Sequence, residues 1–376
     1  MRKTESIQED LARALLNINK LLKADFMKTI GFFGTAKNTG KTTTVISLIN
    51  STLMKDCKVG VTSIGYDGED FDNITKLPKP KYFMPQGTVI ATAENTLKGN
   101  HKDCQVFKTT NVNSALGRIL IIRINKPGYY ILAGPTSTNY LNSILKEFEK
   151  LGMDYVFIDG ALNRIAPFSI TDGLIMATGA AKTTNIPVLV QETKAMCDLF
   201  KIPSANCQMP EYITLETGND RLKLPLKSLL TKEDLDVLLN IISSENISRL
   251  YIPGIITMPL LIMLRDAIKK PLELIFSDVT KLILAGDIKE VTRFFQNSEN
   301  VLQHRIFRPI KLLGITVSPY YNCYRHEFGD YKAAYVDKDI LLEKIRKAVE
   351  LPVVNTLEDD LELLKMTGEC CEDYKM

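Results

Sequence analysis

A glycine-bearing turn, placed between an apolar run and a helical pattern, holds the residues whose types and spacing most clearly suggest chemistry. From Gly34 to Thr43 the chain reads Gly-Thr-Ala-Lys-Asn-Thr-Gly-Lys-Thr-Thr. Glycines let backbone approach a ligand closely, and the N–H groups at the start of a helix attract phosphate oxygens. The lysine at position 41 could reach the β and γ phosphates of a nucleotide, and the hydroxyl of Thr42 could ligate Mg²⁺. The stretch therefore predicts a phosphate-binding loop.

The segments around this turn give the motif a structural context. Residues 29–33 are apolar and predict a short buried strand, and residues 45–49 place apolar side chains on one face of a helix. Strand, turn and helix start are the arrangement in which a Walker A loop binds phosphate. We therefore predict that the whole turn binds nucleotide. The predicted nucleotide-binding residues are Gly34, Thr35, Ala36, Lys37, Asn38, Thr39, Gly40, Lys41, Thr42 and Thr43.

The loop departs from the commonest Walker A spacing. That pattern has glycine where this chain has Thr35, and Gly34 lies one residue earlier. The longer form resembles the loops of dethiobiotin synthetase and cobyric acid synthase, in the P-loop class that includes the ParA/MinD ATPases. Those ATPases carry a second lysine four residues before the equivalent of Gly40, where this chain has Ala36. Lys37 lies one residue later and is not assigned that role.

Two carboxylates follow predicted strands and could serve a metal ion. Asp67 lies in a glycine-rich acidic turn after the strand predicted at 58–64, with Glu69 as a second candidate, although an ordinary acidic turn fits as well. Asp159 lies near the end of the strand predicted at 154–161, after its apolar residues. The acidic strand of a P-loop NTPase likewise ends in a carboxylate. The predicted magnesium ligands are Thr42, Asp67 and Asp159, and the predicted catalytic residues are Lys41, Asp67 and Asp159.

Alternation of strands and helices predicts an α/β fold. We expect a mostly parallel P-loop NTPase sheet with helices on both faces, plus a second, smaller α/β domain. In such sheets ligands bind at the carboxyl ends of strands, where the loop and both aspartates fall. The predicted segments are an N-terminal amphipathic helix (1–25), the nucleotide-binding domain (26–210), a C-terminal α/β domain (211–355) and an acidic tail (356–376).

Several finer elements also follow from the sequence. Two β-rich runs between residues 117 and 133 flank a turn at 125–128, which predicts a hairpin. The second half predicts further strands and helices and contains no second phosphate loop. The strands are predicted at 249–252, 272–276 and 311–318, and the helices at 231–242, 259–269, 287–296 and 339–349.

Composition narrows the class of protein. The net charge of +3 over 376 residues is too small to favour nucleic acid or a membrane surface as partner. The longest apolar run, near residues 259–264, is far shorter than a membrane span. Seven cysteines without a paired spacing indicate reduced thiols, which predicts a soluble, cytoplasmic protein.

Taken together, several runs resemble one family. Beyond the loop they are residues 63–69, 91–94, 133–135, 159–164 and 171–173. This set resembles the P-loop subunit of the clostridial lysine 5,6-aminomutase reactivase over roughly the first 180 residues. The resemblance implies a protein that uses ATP and Mg²⁺, together with a second reactivase ATPase subunit. Its implied task is to release damaged cobalamin from an adenosylcobalamin-dependent aminomutase.

Two other functions remain open from the sequence. The likeness of the loop to dethiobiotin synthetase is consistent with an ATP-dependent ligase that phosphorylates a carboxylate and passes the acyl group to an amine. The latter half, however, lacks a Cys/His/Glu amidase arrangement. A scaffold that binds nucleotide without hydrolysing it is the other alternative.

Overall fold

The strand that leads into the predicted phosphate loop, β1 (Lys28–Gly34), lies inside a large sheet. A computed structural model of the chain describes residues 27–53, 57–66, 82–97, 101–218, 220–298, 300–326 and 329–356. Within these residues the sheet has nine strands. In spatial order they are β18 (Val353–Asn355), β15 (Lys311–Ser318), β9 (Gly173–Gly179), β1, β8 (Tyr155–Ala161), β2 (Val59–Ser63), β4 (Val89–Ala93), β6 (Gly117–Ile124) and β5 (Cys104–Ser114).

Most of this sheet is parallel. Strand β1 pairs in parallel with both β8 and β9, and β2 pairs in parallel with β8 and β4. Only the edge formed by β6 and β5 is antiparallel among the pairings described. The carboxyl ends of β9, β1, β8 and β2 therefore meet at one edge of the sheet. The predicted α/β class with a mostly parallel sheet is confirmed.

Helices accompany the sheets throughout the described part of the chain. They are α1 (Lys41–Leu53), α2 (Thr138–Lys150), α3 (Ile186–Phe200), α4 (Lys232–Ser244), α5 (Met258–Ala267), α6 (Val279–Ile283), α7 (Ile288–Ser298) and α8 (Lys338–Ala348). In α1 the apolar side chains Val45, Leu48 and Ile49 are buried together with Phe32 of β1, as the helical spacing predicts. Among these helices none combines the length and the apolar character needed to cross a bilayer.

The chain folds into two units, and their division differs from the predicted domains. One unit comprises the described residues up to Val190 and those from Leu312 onward, and the other runs from Gln191 to Lys311. The sequence predicts one domain over 26–210 and the next over 211–355. Strands β15 and β18 instead complete the first sheet, with β15 next to β9. A strand's local sequence does not specify which of two sheets it will join, so the return was not predicted.

The second unit has its own, smaller mixed sheet. Within the described residues its strands, in spatial order, are β11 (Asp220–Lys223), β10 (Thr214–Thr217), β12 (Arg249–Ile252), β13 (Leu272–Phe276) and β14 (Leu302–Ile306). Strands β12, β13 and β14 are parallel, whereas β10 pairs antiparallel with β11 and β12. The strands predicted at 249–252 and 272–276 are confirmed.

Two short antiparallel ribbons complete the described structure: β3 (Tyr82–Met84) with β7 (Gly128–Tyr130), and β16 (Tyr320–Arg325) with β17 (Asp330–Tyr335). The hairpin predicted between 117 and 133 is wrong, because β6 pairs with β4 and β5 while β7 pairs with β3. The backbone N–H groups of Asn125 and Lys126 both bond to the carbonyl of Asp103, at 2.9 and 3.1 Å. These bonds hold the turn against a neighbouring segment.

Three predictions fall partly or wholly outside the described residues. They concern the N-terminal helix, the carboxylate of Asp67 and the acidic tail. The tail was predicted to begin at residue 356, but Thr356 is buried, because its N–H and hydroxyl both bond to the carbonyl of Val317, at 3.1 and 3.2 Å. Thr356 is therefore part of the packed first unit, and the rest of the predicted tail lies outside the described residues.

The turn at Gly134, one of the runs that carried the family resemblance, has a structural role. Its N–H donates to the Ser63 hydroxyl at 3.0 Å and lies 3.2 Å from the Gly65 carbonyl. A Cβ atom at this position would lie 1.9 Å from the Ser63 carbonyl oxygen. Only glycine allows the end of β2 to approach this turn so closely.

We expect Gly134→Ala to lower the free energy of unfolding by about 3 kcal/mol, because a backbone carbonyl cannot move aside as a flexible side chain can. Denaturant titration followed by circular dichroism measures the change. Gly128→Ala is the control, since the nearest atom to a Cβ there is 3.7 Å away, and it should alter stability by less than about 0.5 kcal/mol. Equal effects of the two variants would contradict the packing argument.

Candidate functional site

The loop after β1 makes a left-handed bend before α1 begins. Asn38 has φ 62° and Gly40 has φ 85°. Asparagine is one of the few residues with a side chain that enter this region readily, and glycine enters it without strain. A Cβ at position 40 would also lie 2.9 Å from Cγ2 of Thr356. The bend brings the chain directly into α1, whose first bond runs from the Thr44 N–H to the Gly40 carbonyl at 2.9 Å.

The unusual start of the loop has a structural explanation. The Thr35 N–H bonds to the Ala177 carbonyl at 2.9 Å, and the Thr35 hydroxyl lies 2.9 Å from the Thr178 hydroxyl. Thr35 thus ties the loop to the end of β9, at the position where the commoner motif has glycine. The close approach has moved to Gly34, where a Cβ would be 2.8 Å from the Thr39 hydroxyl. Of the two bonds, only the hydroxyl contact with Thr178 depends on threonine, since a glycine at position 35 would also offer the backbone N–H.

The predicted lysine and the second predicted carboxylate come together. Lys41 Nζ donates to Asp159 Oδ1, and the side chains are only 15% and 4% exposed. Asp159 lies opposite Phe32 in the β1–β8 register, so it is close to the end of the strand adjacent to the loop. A largely buried ion pair of this kind is stable only when both charges keep partners. The structure therefore joins two residues that lie far apart in the sequence.

A third side chain at this place was missed by the sequence analysis. The Tyr82 hydroxyl donates to Asp159 Oδ2, and Tyr82 is 8% exposed. No motif or spacing marks Tyr82. It is one aromatic residue in a short β-rich run, and aromatic residues in such runs usually fill a core. Only the folded chain brings its hydroxyl to the carboxylate.

The other predicted site residues differ in their exposure and in whether the structure describes them. Asp67 lies outside the described residues, so its assignment remains a prediction. Thr42 and Thr43 are half-buried in the first turn of α1, and Lys37 is exposed on the loop. Arg164, at the end of the run 159–164, donates from Nη1 to the Tyr66 carbonyl at 3.0 Å.

Asp172 and Ser137 stabilise local structure. Asp172, from the run 171–173, accepts bonds from both the N–H and the hydroxyl of Thr29, each at 2.7 Å, and thereby fixes the start of β1. The Ser137 hydroxyl caps α2 by accepting from the Tyr140 N–H at 3.3 Å. A Gly/Ser/Thr cluster ahead of a helix fits either an anion site or a cap by sequence, and here Ser137 acts as a cap.

The donor chemistry at the strand end fits a magnesium–nucleotide complex. Mg²⁺ prefers oxygen ligands and commonly binds through one or two carboxylates, with phosphate oxygens and water as the rest. Asp159 supplies a carboxylate and is 3% exposed as a residue, and Thr42 follows Lys41. The described part of the chain contains no group of three or more His, Cys, Asp or Glu side chains that could hold a metal ion.

Comparisons with known proteins supply no family for this chain. No protein-family model matches the sequence, and a search of curated proteins gave no match.

Proposed function

We propose that this chain is a P-loop ATPase that binds MgATP at residues 34–43. The observation that carries the proposal is the contact between Lys41 Nζ and Asp159 Oδ1 at the carboxyl edge of β1 and β8. Phosphoryl transfer by a P-loop protein needs a lysine for the phosphates and a carboxylate near the metal, on adjacent elements. Both groups are present, and the loop that leads into Lys41 has a positive φ at Asn38 and at Gly40.

The proposed reaction is hydrolysis of the terminal phosphoanhydride. Water attacks the γ-phosphorus, the bond to the bridging oxygen breaks, and ADP leaves with that bond's electron pair. Lys41 leaves Asp159 for the β and γ phosphates, where it stabilises the charge that develops on the transferring group. Thr42 and Asp159, with Asp67 as a further candidate, would hold Mg²⁺. When bound, Mg²⁺ supplies charge neutralisation at the phosphate oxygens.

The client is proposed from the sequence resemblance alone. It is an adenosylcobalamin-dependent aminomutase, which this chain and a second ATPase subunit would free of damaged cobalamin. Nucleotide-driven conformational change would supply the work. The reduced thiols predicted from the sequence are consistent with a cytoplasmic location for such a complex.

Isothermal titration of the purified chain with MgATP, followed by a phosphate-release assay, tests the core of the proposal. We expect saturable binding and slow phosphate release without any small-molecule acceptor. Release that strictly requires a carboxylate and an amine would favour the ligase alternative. Tight binding without release, even with the client enzyme added, would favour the scaffold alternative. Absence of binding would contradict all three.

Affinity purification from native cells tests the client. The tagged chain should recover a cobalamin-dependent aminomutase and a second ATPase subunit, and the recovered amount should change when MgATP is added. Lys41→Ala is the matched control, because a variant unable to use MgATP should lose that nucleotide dependence. Recovery of neither protein would contradict the proposed client while leaving the ATPase proposal unaffected.

A further inference from the structure

We propose that Tyr82 is a positioning residue for Asp159: its hydroxyl holds Oδ2 so that Oδ1 alone exchanges the Lys41 ammonium for a cation. The inference rests on the proposed function. It assigns a role in that site to a residue which neither the motif nor the strand pattern indicates.

The contacts around the carboxylate are divided between its two oxygens. Lys41 Nζ donates to Oδ1 and the Tyr82 hydroxyl donates to Oδ2. Lys41 is the first residue of α1, and in the proposed function its ammonium moves to the phosphates. Tyr82 belongs to the β3–β7 ribbon, where it is paired with Tyr130. The proposal therefore replaces the Lys41 contact and keeps the Tyr82 contact.

The ribbon holds Tyr82 firmly. Tyr82 lies opposite Tyr130, and Met84 lies opposite Gly128. The side chains of Tyr82, Met84 and Tyr130 are buried in the same core cluster as residues of β1 and α1. Phe83 and Tyr129, between them, point to the other face and are 40% and 63% exposed. The alternation of a β-ribbon therefore directs the Tyr82 hydroxyl inward to Asp159.

The exchange explains why a second donor is needed. A carboxylate that is 3% exposed is costly to leave without partners in a low-dielectric setting. When Lys41 transfers to the phosphates, Asp159 loses its ammonium. The phenol keeps one oxygen hydrogen-bonded and fixes the rotamer, which leaves Oδ1 facing the phosphate loop. The geometry thus assigns each carboxylate oxygen a separate task.

The test compares Tyr82→Phe with Tyr130→Phe. The two tyrosines are cross-strand neighbours in one core cluster, but the Tyr130 hydroxyl lies 3.5 Å from the Lys126 carbonyl and does not contact Asp159 in the structure. Nucleotide binding is titrated at fixed ATP over a range of Mg²⁺ concentrations, and also without metal. We expect Tyr82→Phe to raise the half-saturating Mg²⁺ concentration about ten-fold, the order expected for losing a hydrogen bond to a charged group. Metal-free binding should be unchanged, and Tyr130→Phe should match the unaltered chain in both titrations.

A second measurement needs no nucleotide. In a double-mutant cycle, the unfolding equilibrium constants of Tyr82→Phe, Asp159→Asn and the double variant should depart from additivity by at least about five-fold, as contacting groups do. Equal Mg²⁺ dependence in the two phenylalanine variants, or an additive cycle, would overturn the role inferred for Tyr82. If the unaltered chain still binds MgATP in that case, the proposed function stands. If the unaltered chain does not bind MgATP, the proposed function fails and the role of Tyr82 fails with it.

Discussion

Lys41→Ala is expected to lower ATP turnover by about 10²- to 10³-fold, the loss typical when one preorganised donor is removed from a developing negative charge. MgATP affinity should also fall by roughly 10- to 100-fold, because a charge-assisted hydrogen bond to phosphate is lost. Phosphate release and isothermal titration measure the two effects. The effect on turnover should exceed that on affinity, since the lysine interacts most strongly with the charge that develops during transfer.

The same substitution affects the nucleotide-free protein. Asp159, 4% exposed at its side chain, loses its ammonium partner but keeps the Tyr82 hydroxyl. We expect the protein to remain folded with an unfolding free energy lower by about 1–3 kcal/mol, less than the full cost of stranding a buried charge. Lys150→Ala removes an exposed lysine paired with Glu147 and should leave turnover, affinity and stability nearly unchanged. Unchanged MgATP affinity in Lys41→Ala would contradict the assignment of the loop.

Asp159→Asn should separate metal-dependent from metal-independent binding. Turnover should again fall by about 10²- to 10³-fold, because the carboxylate that would hold Mg²⁺ has been neutralised. Metal-free ATP binding should instead become up to about ten-fold tighter, since Lys41 is no longer held by the carboxylate and a negative charge near the phosphates is gone. Titrations with and without Mg²⁺ measure both quantities. The two substitutions should thus shift metal-free affinity in opposite directions.

The control for this variant lies immediately before the same strand. Asp154 precedes the amino end of β8, where its carboxylate accepts the Lys58 N–H at 2.6 Å. Asp154→Asn changes the same chemical group at the opposite edge of the sheet, so nucleotide binding should not respond. Weaker metal-free binding by Asp159→Asn, or equal responses in both variants, would show that Asp159 does not face the phosphates.

Much of the local structure could be predicted from the sequence because its signals are local. Apolar runs predicted β1 and β8, and the glycine and lysine spacing predicted the turn after β1 and the start of α1. Phosphate binding by that turn stays a prediction. The strand β13 was predicted with its observed bounds (Leu272–Phe276). In each case, periodicity and turn residues within ten or so positions carried the information.

The features that were missed depend on contacts between distant segments. Tyr82 bonds to Asp159, which lies 77 residues away in the sequence. No local pattern distinguishes Tyr82 from an aromatic residue that fills a core. The return of β15 to the first sheet depends on neighbours such as β9, where the Ala180 N–H bonds to the Ser318 carbonyl at 2.9 Å. In the sequence, Thr35 is only a departure from the usual motif. The fold explains the residue, because it places the Thr35 hydroxyl 2.9 Å from the Thr178 hydroxyl.

The late-joining strands have a consequence for how the protein is made. The Thr44 hydroxyl bonds to the Thr316 hydroxyl at 3.0 Å, and a Cβ at Gly40 would meet Thr356, so the turn after β1 is supported by residues that are synthesised long after it. Ribosomes emit the amino-terminal strands first, and pairings of such large sequence separation form slowly. A nascent chain that has emerged only through Lys311 contains this turn but still lacks both contacts. The proposed nucleotide binding should therefore be among the last properties acquired during biosynthesis.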